Sequence, residues 1–297
     1  MLTDAEPTDR RSAGAPSGGV PAPAEVMARA GGENFPVASR VLPRAARADL
    51  LAIYGFARLV DELGDSYPGD RLAALDWLEG ELDRAYAGAA THPLLVRLQP
   101  TLRRCSPERE LFVRLIDANR MDQRVQRYGS WEQLRGYCAL SADPVGELVL
   151  CVLGLATPER VALSDSICTG LQLLEHCQDV AEDLAAGRVY LPADELEHCG
   201  ATVAELGRPH ASAPVRELIA FEIRRARALF DEGAPLIGEL SGRARVAVAG
   251  FLAGGRANAA AIEAAGYDVL AGAPRAGRIA LARELARALL ASRRVRS

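Results

Sequence analysis

The chain has 297 residues, and its 35 basic residues are all arginine against 39 acidic ones. The missing lysines exclude Schiff-base, phosphate-loop and lysine general-base chemistry. A net charge of −4 gives no electrostatic footprint for nucleic acid.

Residues 1–24 are rich in Pro, Gly, Ala and Ser and are expected to form a disordered tail ahead of one domain over 25–297. Beyond it, Ala, Leu, Arg and Glu recur at helical spacing, and alternating β-branched strands are nearly absent. The pattern predicts helices over 43–64, 70–88, 107–127, 131–155, 159–186, 213–240, 242–266 and 275–294, with one long loop over 187–212. Leu50–Val60, Leu148–Ala156 and Leu171–Leu174 are apolar on more than one face, which places them at the centre of a large bundle. The expected fold is therefore all-α and single-domain. The longest apolar run, Leu148–Ala156, is far short of the roughly 20 residues of a bilayer span. The six cysteines form no CxxC pair, and no apolar leader is read at the N-terminus, so a cytoplasmic protein is expected. Peripheral membrane contact stays open.

Two acidic pairs carry the chemistry. Asp61 and Asp65 are spaced i, i+4 on one helix, with Arg58 one turn before Asp61 on the same face. Asp179 and Asp183 repeat the spacing, and Glu175 extends that stripe by a turn. Like charges at this spacing repel, so two such pairs beside apolar flanks suggest a Mg²⁺ site of carboxylate oxygens completed by water or phosphate. The plain alternative is a solvated acidic face. Asp143-Pro144 inside a helical run marks a kink, for which simple packing is the plainer account. Arg188 follows the second pair and can meet a diphosphate, though Gly187 and Arg188 also read as an ordinary helix end.

In combination these segments resemble the squalene/phytoene synthase family over roughly residues 33–270. Asp61-Glu-Leu-Gly-Asp65 matches the family's first aspartate-rich motif, preceded by Tyr54 and Arg58. Gln172, Glu175, Asp179 and Asp183 follow its second motif. Tyr137-Cys138 with Ala142 to Gly146, and Arg188-Val-Tyr190-Leu-Pro192, match two further elements. Glu33-Asn34-Phe35-Pro36 through Ser39 and Arg40, with Ser141-Ala-Asp-Pro-Val-Gly, look like the bacterial hydroxysqualene synthase branch.

The resemblance implies an isoprenoid-synthase helical bundle with a central cavity, acting on an isoprenoid diphosphate with Mg²⁺ held by Asp61, Asp65, Asp179 and Asp183. Arg58, Arg188 and Tyr190 would bind the diphosphate. Tyr54, Phe35, Ser39, Arg40, Gln172 and Glu175 would contact substrate. Phe35, Val145 and Leu174 would line the cavity, and Tyr137 would steer the carbocation or a proton. The branch ionises presqualene diphosphate, rearranges the cation and quenches it with water, between a presqualene diphosphate synthase and a flavin-dependent reductase. Condensation of two farnesyl diphosphates to presqualene diphosphate or squalene, and phytoene-type synthesis, are the alternatives within the family. Glu175 departs from the family's asparagine: a carboxylate there can add a metal ligand, repel the diphosphate or act as a base toward water.

Two other classes compete. A di-iron bundle needs two Glu-x-x-His motifs, and only Glu195-Leu-Glu-His198 is present. His92, His176 and His210 read as surface or packing residues. An isoprenoid carrier needs no acidic pairs.

Overall fold

The computed structural model describes residues 19–28 and 41–294, with side chains to Ala291. The described residues form helices joined by turns, and their one β-like pairing is an isolated bridge between Arg127 and Val189. The all-α expectation holds. Most of the expected tail lies outside the described residues, but α1 (Pro23–Ala28) begins before the expected boundary at 24, and its Val26 is buried.

The first half packs α2 (Arg44–Asp61), α3 (Arg71–Tyr86), α4 (Pro93–Cys105) and α5 (Arg109–Asp122) around Phe56, Leu78, Leu95 and Phe112. Phe56 and Phe112 meet edge to face at 5.0 Å, a favoured aromatic geometry. Helix α4 is absent from the periodicity reading, because Pro93 and Pro100 look like breakers. In the fold Pro93 sits in the first turn, where no amide bond is lost, and Pro100 lies on the solvent face, where water can serve the freed carbonyl. The expected 107–127 helix ends early, at Asp122.

The run expected as one helix over 131–155 divides into α6 (Trp131–Ser141) and α7 (Asp143–Val152). Pro144 enters the first turn of α7, so the break falls where the proline predicts it. The 159–186 run likewise divides into α8 (Pro158–Gln178) and α9 (Val180–Ala185) at Asp179, whose backbone leaves the helical region (φ −101°, ψ 14°). Thr157 caps α8 by accepting the Arg160 amide.

The expected long loop contains two short helices, α10 (Ala193–His198) and α11 (Val203–Leu206). The 213–240 run becomes α12 (Ala213–Gly233) and α13 (Pro235–Glu239), interrupted by Pro235. Helices α14 (Gly242–Ala264) and α15 (Arg278–Arg294) complete the described chain. Around α8 the second core gathers Leu173, Leu218, Ile219, Phe230 and Leu252. Helix α8 therefore has one face in a core and the other toward the first half of the bundle, where the cavity lies.

Candidate functional site

A cavity of about 400 Å³ opens between α2, α5, α6, α7 and α8, within the range of small-ligand sites. Leu50, Ile53, Leu115, Val145 and Val149 form its apolar wall, while Tyr54, Arg58, Asp61, Asn119, Tyr137, Gln172 and Glu175 supply polar atoms. A second space of about 120 Å³ lies across α8, lined by Leu174, Glu175, Gln178, Phe251 and Asn258. Val145 thus lines the main cavity as expected, whereas Leu174 lines the smaller one. Phe35, Ser39 and Arg40 lie outside the described residues.

Helix α2 does not stay α-helical through the first acidic pair. It passes into a π-helical turn over Glu62–Ser66, which carries Asp65; such turns are frequent at functional sites. Packing against α5 holds the turn. Gln123 Nε2 donates to the Gly64 carbonyl at 3.0 Å, and a Cβ at Gly64 would fall 2.0 Å from Asn119 Oδ1, so only glycine permits this approach. Arg58 Nη1 lies 3.2 Å from Asp61 and Nη2 3.9 Å from Glu62. Arg58 therefore offsets the repulsion within the pair.

The second pair straddles the break between α8 and α9. The Asp183 amide donates to the Asp179 carbonyl at 2.8 Å, and the Arg188 amide donates to the Asp183 carbonyl at 2.8 Å, so the chain folds back tightly. Arg188 Nη1 then pairs with Asp65 at 2.7 Å, joining the two acidic segments across 123 positions. Asp183 is pushed up to about 7, by burial first and then by the charges of Asp179, Asp122 and Asp65, with Arg188 opposing. Asp179 is also raised, by burial and then Glu182.

Asp183 is a hard oxygen donor whose ionisation the neighbouring carboxylates disfavour, and a divalent cation would relieve that repulsion. Among the described residues no three His, Cys, Asp or Glu side chains converge as a finished metal cage. A magnesium site does not need one, since that ion retains waters and takes phosphate oxygens.

Behind the acidic residues lies a buried aromatic cluster that the sequence did not reveal. The 187–192 segment is pinned to residues 126–129 by Val189 N to Gln126 O and Ala193 N to Tyr128 O, both 2.9 Å. This brings Tyr190 against Tyr128, Tyr137 and His176, with the His176 ring stacked on Tyr190 at 4.0 Å. The hydroxyls of Tyr137 and Tyr190 both donate to Asp122, at 2.8 and 2.9 Å. Burial raises Asp122 to about 6, although both hydroxyl bonds favour its charged form. Asp122 and Tyr137 are 15 positions apart and Asp122 and Tyr190 are 68 apart, so no local spacing signals the triad.

His176 packs against Tyr137 and Tyr190. Burial, aided by Arg188, lowers it to about 3. The unfolded chain therefore takes up this proton first as pH falls below roughly 6.5, and stability is lost between about 6.5 and 3. A His176→Phe variant should retain the stack and lose on the order of 2 kcal/mol less stability than the wild type between pH 7 and pH 4.5. Urea unfolding midpoints at the two pH values measure this; parallel losses would show that His176 is not the acid-sensitive group.

Of the remaining histidines, His92 is buried and His210 pairs with Asp268 at 3.0 Å. Glu195 of Glu195-Leu-Glu-His198 pairs with Arg225 at 2.5 Å.

The chain is similar to several known proteins. The squalene/phytoene synthase family model matches residues 28–284. The chain is 37% identical over 213 residues to a hydroxysqualene synthase of Sinorhizobium fredii, covering 70% of this chain and 71% of that one. It is 32% identical to a phytoene synthase of Arthrospira platensis, covering 67% and 69%. The crystal structure of squalene synthase HpnC from Alicyclobacillus acidocaldarius superposes with a TM-score of 0.76 at 47% identity, over 81% of this chain and 92% of that one. A dehydrosqualene synthase shares the fold at a TM-score of 0.81 and 20% identity, over 90% and 95%.

Proposed function

The chain belongs to the squalene/phytoene synthase family, and from that premise we propose that it converts presqualene diphosphate to hydroxysqualene and diphosphate with Mg²⁺. The observation that carries this reading is the joining of the two acidic segments by Asp65 and Arg188, with Asp61 of the first segment lining a cavity that has an apolar wall. The relatives named hydroxysqualene synthase support the branch.

Asp61, Asp65, Asp179 and Asp183 hold the metal, which when bound neutralises the charge that develops on the departing diphosphate. Arg188 and Arg58 already sit on these carboxylates and add charge-assisted bonds to diphosphate oxygens. The carbon–oxygen bond breaks with its electron pair leaving on the diphosphate. The carbocation is then shielded by Leu50, Ile53, Val145 and Val149. Tyr137 lines the same space with its hydroxyl fixed by Asp122, so its aromatic ring offers a π-face to the cation. Water adds its oxygen to the cation and releases a proton. Glu175 lines both spaces and is the carboxylate placed to take that proton. Asp122 positions Tyr137 and Tyr190.

The branch's chemistry implies functional coupling to an enzyme that makes presqualene diphosphate and to a flavin-dependent reductase that removes the hydroxyl. The second reading is condensation of two farnesyl diphosphates, favoured by the similarity to phytoene synthases. Incubating the protein separately with presqualene diphosphate and with farnesyl diphosphate, with Mg²⁺ and without nicotinamide, tests the two. The expected result is an alcohol from the first substrate and no C30 product from the second.

A further inference from the structure

No helix among the described residues is long and apolar enough to cross a membrane, yet α15 presents a second amphipathic surface. Its inner face is accounted for: Leu285, Ala288 and Leu289 pack on the core, and Arg245 Nη2 donates to the Leu289 carbonyl at 2.6 Å. Its outer face carries the two most exposed large apolar side chains among the described residues, Ile279 at 87% and Leu290 at 61%. They are spaced i, i+11, with exposed Ala286 between them, so all three fall on one stripe of the helix. Arg283 and Arg287 flank the stripe, and Arg275 and Arg278 are exposed at its start.

Residues 275–297 contain seven arginines and one glutamate, in a chain whose net charge is −4. That glutamate, Glu284, pairs with Arg287 at 2.6 Å. A solvated helix face does not need Ile and Leu at its centre. An apolar line bordered by arginines matches the interface of an anionic bilayer, with apolar side chains among the acyl chains and guanidinium groups at the phosphates.

The position of the helix agrees with this. Gln178 Nε2 donates to the Pro274 carbonyl at 3.0 Å, and the Ala276 amide donates to Asn258 Oδ1 at 2.9 Å. Gln178 and Asn258 line the smaller space across α8, so the segment entering α15 is tied to two residues of its wall.

We infer that α15 docks the protein on an anionic lipid bilayer through Ile279 and Leu290 with their flanking arginines, beside the space between α8 and α14. Docking there would pass the apolar ligand between bilayer and cavity without crossing water. That consequence rests on the proposed function; the docking itself does not.

Cosedimentation of the full chain with extruded vesicles tests the docking. The chain binds phosphatidylglycerol vesicles, binding weakens as salt rises, and phosphatidylcholine vesicles bind at least tenfold less. Each arginine near an anionic surface contributes about fivefold to partitioning, so Arg278→Glu/Arg283→Glu lowers binding more than tenfold. Ile279→Asp/Leu290→Asp does the same while far-UV circular dichroism remains that of the wild type. Absence of binding, equal binding to both vesicle types, or binding unchanged in both variants overturns the inference. So does a dimer in sedimentation velocity that Ile279→Asp/Leu290→Asp dissociates, which assigns the face to a second copy. Because no readout involves turnover, failure here is separate from failure of the proposed reaction.

Discussion

Asp61→Ala and Asp179→Ala are each expected to lower turnover by about a thousandfold or more, with helical content unchanged. The two parts of this result have different physical origins. Loss of rate follows from the work assigned to the carboxylates: removing one donor from a site that stabilises leaving-group charge costs about 10²–10³ for a single hydrogen-bond donor, and a metal ligand supports more of that charge. Retention of fold follows from the surroundings. Asp61 is half-buried at the end of α2, where alanine is a good helix former, and Arg58 can turn to Glu62 at 3.9 Å. Asp179 sits where α8 gives way to α9, and its backbone carbonyl, rather than its side chain, receives the Asp183 amide. Steady-state rates beside far-UV spectra measure both parts. Wild-type turnover in either variant would remove the metal assignment.

Phe230→Ala should cost about 3–5 kcal/mol of stability, the usual penalty for emptying a buried aromatic site. The ring is fully buried on α12 and lodges between Gly170 of α8 and Gly255 of α14. A Cβ at Gly170 would come within 2.8 Å of the ring, and one at Gly255 within 2.5 Å. Both glycines therefore exist to admit Phe230, and neighbouring atoms cannot close around the void without moving helices. Gly255→Leu alone overpacks the same place and should destabilise by about 1–3 kcal/mol or more. Combined with Phe230→Ala it should recover part of the loss, because the new side chain enters the vacated volume. Urea unfolding of the two single variants and the double variant measures the coupling. A loss below about 1 kcal/mol for Phe230→Ala, or strict additivity, would contradict this packing.

Short-range patterns were readable because their physics is local. The i, i+4 spacing singled out each acidic pair, although the fold divides the first between α2 and the π-helical turn and the second at the α8–α9 break, and Pro144 marked the division between α6 and α7. Helix α4 was concealed because a proline at a first turn or on a solvent face carries the same letter as one that breaks a helix. The π-helical turn under Asp65 depends on Gly64 meeting Asn119 of α5, which no property of residues 61–66 announces. The role of Asp122 comes from Tyr137 and Tyr190, brought in by other elements. The lysine-free composition acquires local meaning at Arg188, whose guanidinium links the two acidic segments. Seven arginines over residues 275–297 are visible as composition, while the exposure of Ile279 and Leu290 on α15 required the packed helix.

We propose that the chain ionises presqualene diphosphate with Mg²⁺ and quenches the cation with water. Mass spectrometry of the product formed from presqualene diphosphate in H₂¹⁸O, with Mg²⁺ and no nicotinamide, reads the source of the hydroxyl oxygen. Hydroxysqualene carrying one ¹⁸O is expected, abolished by EDTA and restored by added Mg²⁺. Squalene that appears only with NADPH, an alcohol without label, or turnover unaffected by EDTA would contradict the proposal.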